Sequence, residues 1–244
     1  MRLDRYLFEA GLAKSRTEAE RLIEAGAVTV DGVIRTKPSF GIEEDTPLSA
    51  LFVRKDPLAF VSRGGEKLEA ALSAFDLSPF GHVALDVGAS TGGFTDCLLR
   101  HGAEKVYAVD AGRGQLAGSL LLDSRVVLLE QYNARYLKRE DFDPLPTFAV
   151  MDVSFISATL ILPALAAVLP SGSPFICLIK PQFEVGRAGL GKGGIVRDDA
   201  LRREAVARVV HSASTVGLSH LGSIQSPILG GDGNREFLAA FRKE

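Results

Sequence analysis

The sequence has little cysteine, no excess of either charge and no long apolar run, and each shortage removes a class of protein. Its two cysteines, Cys97 and Cys177, sit far apart in apolar stretches. They offer neither a zinc spacing nor a disulfide framework, so a reduced, cytoplasmic protein is the simple expectation. With 28 Lys and Arg against 30 Asp and Glu, a polyanion must be met by a local basic patch and not by the field of the whole molecule. The longest greasy run, Ala158 to Leu169, is interrupted by Pro163 and is too short for a bilayer, which takes about 20 apolar residues. A core helix is expected there. Met1-Arg2-Leu3-Asp4-Arg5 lacks the apolar core of a signal peptide. His82, His101, His211 and His220 show no ligand spacing, so no metal is expected, and no internal repeat is present. A chain of 244 residues allows one or two domains with a sizeable core.

What is present is organised around Leu85-Asp86-Val87-Gly88-Ala89-Ser90-Thr91-Gly92-Gly93-Phe94. Val83 to Val87 reads as a buried strand carrying a carboxylate. The glycines read as a tight turn where a ligand lies against backbone, and Phe94, Leu98 and Leu99 start a helical stripe. The next apolar run, Val106 to Val109, ends in Asp110, where α/β nucleotide folds hydrogen-bond a ribose. The glycine spacing is G-x-x-x-G-G, not the G-x-G-x-x-G that seats a pyrophosphate on a helix N-terminus. Asp86 before the turn repels a pyrophosphate and suits a cation. S-adenosylmethionine, with its ammonium and sulfonium charges, therefore fits better than NAD; a structural turn without ligand is the third reading.

Residues 1–53 read as a separate small unit. Leu3, Leu7 and Leu12 start a helical stripe, Ser15-Arg16-Thr17-Glu18 is a capping box, and Ala19, Leu22 and Ile23 form the apolar face of a second helix that Gly26 stops. Val28-Thr29-Val30, Asp31-Gly32 and Val33-Ile34 form a hairpin pattern. The charged, proline-stopped stretch that follows places a linker at 54–61 and a second domain at 62–244.

The second domain alternates strand and helix, the pattern of a doubly wound α/β sheet. Strands are expected at 83–87, 105–109, 126–130, 148–152, 174–179, 220–225 and 235–241, and helices near 94–101, 114–122, 157–169 and 198–216. An earlier helix carries Leu68, Leu72 and Phe75 on one face and Lys67 in its first turn, where the dipole disfavours a cation. Ligands of such sheets lie beyond the carboxyl ends of the strands. Asp152 and Lys180 each end a greasy run there. They are either a structural ion pair or part of a site at the rim where the cationic ligand is expected.

The order of helix, cap, glycine and turn, with R-L-D-x-x-L and V-x-V-D-G, resembles the S4 RNA-binding domain. That resemblance implies phosphate contacts from Arg5, Lys14, Arg16, Arg21, Arg35 and Lys37; the alternative is a solvated face laced with Glu18, Glu20 and Glu24. Lys67, Asp152, Lys180 and Glu236 stand in the order of the tetrad of FtsJ-like ribose 2′-O-methyltransferases. Joined to an S4 domain, and with S-R-G-x-x-K, D-V-G-x-S-T-G-G-F, D-V-S-F-I-S, K-P-Q-F-E and G-N-x-E-F-L, the chain resembles the TlyA family, whose members methylate ribosomal RNA on cytidine 2′-hydroxyls and are also called haemolysins. The resemblance implies a seven-stranded Rossmann-like methyltransferase sheet with an antiparallel last strand. It implies S-adenosylmethionine as donor, held by Asp86, Gly88, Ser90, Gly92, Gly93, Phe94, Asp110 and Asn133. Asn133 stands where many methyltransferases carry a carboxylate; its amide oxygen accepts a hydrogen bond equally well, and a plain turn residue is the alternative. The short ends of the chain match members for which large-subunit RNA is expected.

A ribose hydroxyl loses its proton as it attacks the methyl carbon, so a nearby base helps. Lysine serves when part of it is neutral, which burial and a second cation favour. Lys180 is the expected base and Lys67 the second cation, with Asp152 and Glu236 orienting the amines and the hydroxyl. The glycine-rich stretch Phe183 to Asp198, with Arg187, Lys192 and Arg197, is expected to be a lid that grips RNA, with an irregular surface loop as the alternative; Arg63 joins the RNA-binding set. Two rival functions are weighed. An RNA-binding assembly factor with an inactive domain sits poorly with the intact tetrad, and a pore-forming haemolysin sits poorly with the missing membrane-length run.

Overall fold

The computed structural model describes residues 1–24, 26–53, 60–186, 189–231 and 233–244. The chain divides into two compact units, Met1–Arg63 and Gly64–Glu244. Residues 54–59 of the expected linker lie outside the described set.

In the first unit, α1 (Leu3–Glu9) and α2 (Arg16–Glu24) cover a sheet of β1 (Val28–Val30), β2 (Val33–Ile34) and β3 (Leu51–Val53) in the order β2-β1-β3. Strand alternation turns Val28 and Val30 inward onto Leu3, Leu7, Ala19 and Ile23. Asp31 and Gly32 both take positive φ, 52° and 74°, as a two-residue hairpin turn requires. The Ser15 hydroxyl accepts the Glu18 amide at 3.1 Å, one half of the capping box. The other half is displaced by one residue: the Glu18 carboxylate accepts from the Lys14 amide, a donor in the turn before the helix. Asp4, fully buried, is gripped by Arg2 at 2.9 Å and by Arg16 at 2.8 Å. These guanidiniums, Arg2 first, hold its carboxyl well below the usual carboxylate range.

The second unit starts with α3 (Gly64–Phe75). It continues through β4 (Val83–Val87), α4 (Gly93–Arg100), β5 (Lys105–Val109), α5 (Gly118–Leu121), β6 (Val126–Leu129), β7 (Phe148–Met151), α6 (Leu162–Val168), β8 (Pro174–Ile179), α7 (Pro181–Glu184), α8 (Asp199–Ser214), β9 (Leu218–Gln225) and β10 (Phe237–Lys243). The seven strands run β6-β5-β4-β7-β8-β10-β9. The first five in that order are parallel, and β10 runs antiparallel to both its neighbours. This is the expected doubly wound α/β sheet with a reversed final strand. Two helices are shorter than expected. The 114–122 segment keeps only the four residues of α5, because Gly114 takes φ +66° and Gly118 follows. The 157–169 segment breaks into a 3₁₀ turn over Ala158–Leu160 and α6, whose second residue, Pro163, needs no backbone donor there.

The core under α6 and α8 takes Leu85, Val87, Val109, Met151, Cys177, Ile179 and Phe241 from the strands. Because side chains alternate along a strand, Asp86, Asp110, Asp152, Lys180 and Glu236 all fall on the opposite face, where α3 packs against α4 and β10. Among the described residues no helix is long and apolar enough to cross a membrane.

Candidate active site

Strand order reverses between β4 and β7, and the crevice beyond their carboxyl ends is where doubly wound sheets bind ligands. The loops after these two strands touch. A Cβ on Gly88, at φ +86°, would lie 2.2 Å from the Asp152 carbonyl oxygen, and one on Gly92, at φ +95°, would lie 2.2 Å from Leu120 Cδ1. Gly88 and Gly92 therefore make room for the protein's own atoms. Gly93 and Phe94 are buried at the start of α4.

Asp110 ties the turn after β4 to the turn after β5. Its carboxylate accepts the Ser90 amide and the Gly112 amide, each at 2.7 Å. Each oxygen keeps a further lone pair for a hydroxyl. Asp86 is fully buried and receives the Thr95 hydroxyl on Oδ2 at 2.6 Å. Its Oδ1 has no partner. Burial pushes its pKa up to about 7; the Thr95 hydrogen bond opposes this, and the charges of Asp152 and Asp110 add to it.

Two ion pairs stand on the same face. Lys180 Nζ lies 2.6 Å from Asp152 Oδ1, and Lys67 Nζ donates to Glu236 Oε2 at 2.5 Å. Phe237 lies opposite Ile179, so Glu236 and Lys180 occupy the next positions on adjacent strands. Glu236 has space because residue 230 is glycine: a Cβ there would meet its Oε1 at 2.5 Å. The pairing also explains the cation near the start of α3, because Lys67 is held by a buried carboxylate.

Asn133 Oδ1 accepts the Arg135 amide at 3.1 Å and caps a 3₁₀ turn, the plain turn role. Arg5 pairs with Glu9 at 2.7 Å and Arg16 with buried Asp4, so both are occupied within the first unit. Lys14 and Arg21 are exposed, Arg35 lies 4.2 Å above the Phe40 ring, and half-buried Arg63 closes the first unit. Arg187 lies outside the described residues, and Lys192 is exposed. The expected lid is anchored at its far end. The Asn234 side chain accepts the Val196 amide at 2.9 Å and donates to the Gly194 carbonyl at 3.1 Å.

Sequence reasoning passed over Ser154 and Phe155, although both stand in the quoted D-V-S-F-I-S run. The Ser154 hydroxyl accepts a hydrogen bond from Lys180 Nζ at 2.8 Å. Phe155 is 93 % exposed, takes φ +65°, and meets the Phe183 ring at 5.4 Å between centroids. Buried Glu184 holds the next turn by accepting the Ser157 hydroxyl at 2.6 Å and the Ala158 amide at 2.8 Å. An aromatic residue just past a strand-end acid was the available signal.

The geometry has counterparts in known proteins. Residues 60–243 match the model of the FtsJ-like methyltransferases, and residues 1–46 match that of the S4 domain. The chain is 48% identical to the "Putative rRNA methyltransferase YqxC" of Bacillus subtilis over 97% of its length and 84% of that protein. It is 43% identical to the 16S/23S rRNA (cytidine-2′-O)-methyltransferase TlyA of Mycobacterium tuberculosis, over 100% of this chain and 90% of the other. A solved structure described as a "Putative hemolysin" from Streptococcus thermophilus superposes with a TM-score of 0.78 at 46% identity, covering 100% of this chain and 88% of that one.

Proposed function

The chain belongs to the FtsJ-like methyltransferase family and carries an S4 domain ahead of the methyltransferase domain, and from that premise we propose that it transfers a methyl group from S-adenosylmethionine to the 2′-hydroxyl of a cytidine in ribosomal RNA. The observation that carries this reading is the pairing of Lys180 with Asp152 and of Lys67 with Glu236 on one face of the sheet, at the strand ends beside its switch point. The test is incubation of the purified protein with methyl-labelled donor and ribosomal RNA or subunits. Label is expected in the RNA; its absence from every ribosomal substrate ends the reading.

The residues fit the donor. A buried carboxylate with an oxygen left unpartnered, Asp86 Oδ1, suits a ligand carrying ammonium and sulfonium charge. Asp110 would take the ribose hydroxyls, with the Ser90 to Phe94 turn alongside. When bound, the donor supplies the methyl carbon that the RNA oxygen takes, the C–S bonding pair staying on sulfur. The chain's own part is to place the hydroxyl, exclude water and receive its proton. Lys180 Nζ is the acceptor in this reading, Asp152 holds that amine, and Lys67 with Glu236 borders the hydroxyl. Exposed Phe155 offers the target base a face on which to stack.

The raised pKa of Asp86 makes donor binding depend on pH. A cationic donor binds best to the ionised carboxylate, which in the free protein is reached only as pH rises through about 7. Calorimetry is expected to show weaker binding at pH 6 than at pH 8, with about one proton released at pH 6. Asp86→Asn is expected to weaken binding and flatten the dependence; wild-type affinity unchanged between these pH values contradicts the assignment.

The first unit is proposed to place the RNA. Lys14 and Arg21 are exposed there, whereas Arg5 and Arg16 already have carboxylate partners. Lys14→Ala or Arg21→Ala is expected to reduce the slope of log affinity against log salt by about 1. Arg16→Ala is expected to act mainly on folding, since it strips buried Asp4 of one guanidinium. Salt titrations of binding, with melting curves, separate the two.

A further inference from the structure

We propose that Ser154 is a positioning residue that aims the Lys180 amine at the RNA hydroxyl; the inference rests on the ribose 2′-O-methyl transfer proposed above. Lys180 Nζ touches two acceptors of different kinds. Asp152 Oδ1 is 2.6 Å away, yet that oxygen has no hydrogen-bond partner, so the carboxylate holds the amine through charge and not through an aligned N–H. Ser154 Oγ, at 2.8 Å, accepts an aligned hydrogen bond from the same nitrogen. Charge attraction has little directional preference, whereas a hydrogen bond weakens steeply off axis. The serine hydroxyl is therefore the contact that fixes rotation about the lysine Cε–Nζ bond.

This matters at the proton-transfer step. A neutral amine carries two N–H bonds and one lone pair. With one N–H on Ser154, the lone pair turns away from the Asp152 carboxylate, whose negative charge repels it. The ribose O–H bond breaks as an N–H bond forms on that lone pair. Nζ becomes an ammonium, and the oxygen pair released goes into the new bond to the methyl carbon.

The loop that presents Ser154 is built for a fixed position. Phe155 turns the chain immediately afterwards through φ +65°, a conformation uncommon for a bulky residue and costly to hold. Two residues further on, Glu184 grips Ser157 and Ala158. Ser154 itself is exposed, so the fold has little use for its hydroxyl, and its removal should leave the melting temperature unchanged.

The experiment is steady-state kinetics on ribosomal RNA with wild type, Ser154→Ala and Ser154→Thr, together with melting curves and donor calorimetry. Ser154→Ala is expected to lower kcat about tenfold with KM for RNA, donor affinity and melting temperature unchanged, and Ser154→Thr to restore most of the rate. In a Lys180→Met background, Ser154→Ala is expected to cause no further loss. Wild-type kcat in Ser154→Ala overturns the inference. So does a raised KM at unchanged kcat, which would make the hydroxyl an RNA contact, and so does a threonine variant as slow as the alanine one. Failure of wild type to methylate any ribosomal RNA overturns the underlying reading instead, and this inference falls with it.

Discussion

Lys180→Met is expected to lower kcat for methyl transfer by about 10²–10⁴, the usual contribution of a positioned acid or base, with donor binding preserved. Methionine keeps the apolar stem that reaches the strand end and removes only the amine. Asp152 then loses its ion-pair partner at 2.6 Å. The Lys180 and Asp152 side chains are 12% and 22% exposed, so the cost in stability falls between that of a surface pair, about 1 kcal/mol, and that of a buried one, about 3–5 kcal/mol. A freed negative charge in the crevice should hold a cationic donor as tightly as before, or more tightly. Single-turnover rates and donor calorimetry on the same preparation check both halves. A rate within twofold of wild type removes Lys180 from the chemistry.

The second large effect concerns the buried pair. Lys67 and Glu236 side chains are 10% and 3% exposed, so deleting one partner leaves a charge in a low-dielectric site. Glu236→Ala is expected to destabilise the protein by about 3–5 kcal/mol and to reduce methyl transfer at least tenfold at temperatures where it stays folded. The double variant Lys67→Met, Glu236→Leu removes both charges and should recover most of the melting temperature, because an apolar pair of similar volume often matches a buried ion pair. It should not recover activity. Restored activity in the double variant would make the pair a structural strut. An unchanged melting temperature in Glu236→Ala would mean that Lys67 finds another partner or reaches water.

Much of this site can be read from strand periodicity. Val150 and Asp152 share a face, as do Leu178 and Lys180, and acids or amines at the ends of greasy runs fall at the rim of a parallel sheet. Glu236 is legible only through the family resemblance, which implies the antiparallel last strand that brings it to the same rim. What periodicity cannot supply is the partner of each charge. Lys67 and Glu236 are 169 positions apart, and nothing local to either says which carboxylate answers the misplaced lysine of α3. The same gap hid the Arg16 contact with Asp4, which braces α1 against α2. Gly88 and Gly92 show the converse limit. Both positions need glycine, but the atoms that forbid a Cβ belong to Asp152 and Leu120, which only the packing of strand against strand and helix against turn reveals. Asn133 was open between two roles in the sequence, and its oxygen is engaged with the Arg135 amide.

The central claim is that the methyl group goes to a ribose oxygen and not to a base. Its most direct measurement is complete alkaline hydrolysis of ribosomal RNA methylated by the purified protein, followed by mass spectrometry, because a 2′-O-methyl blocks cleavage of the adjoining phosphodiester. The proposed function predicts an alkali-resistant dinucleotide whose 5′ residue is 2′-O-methylcytidine. Label recovered only in alkali-sensitive mononucleotides carrying a methylated base would contradict it.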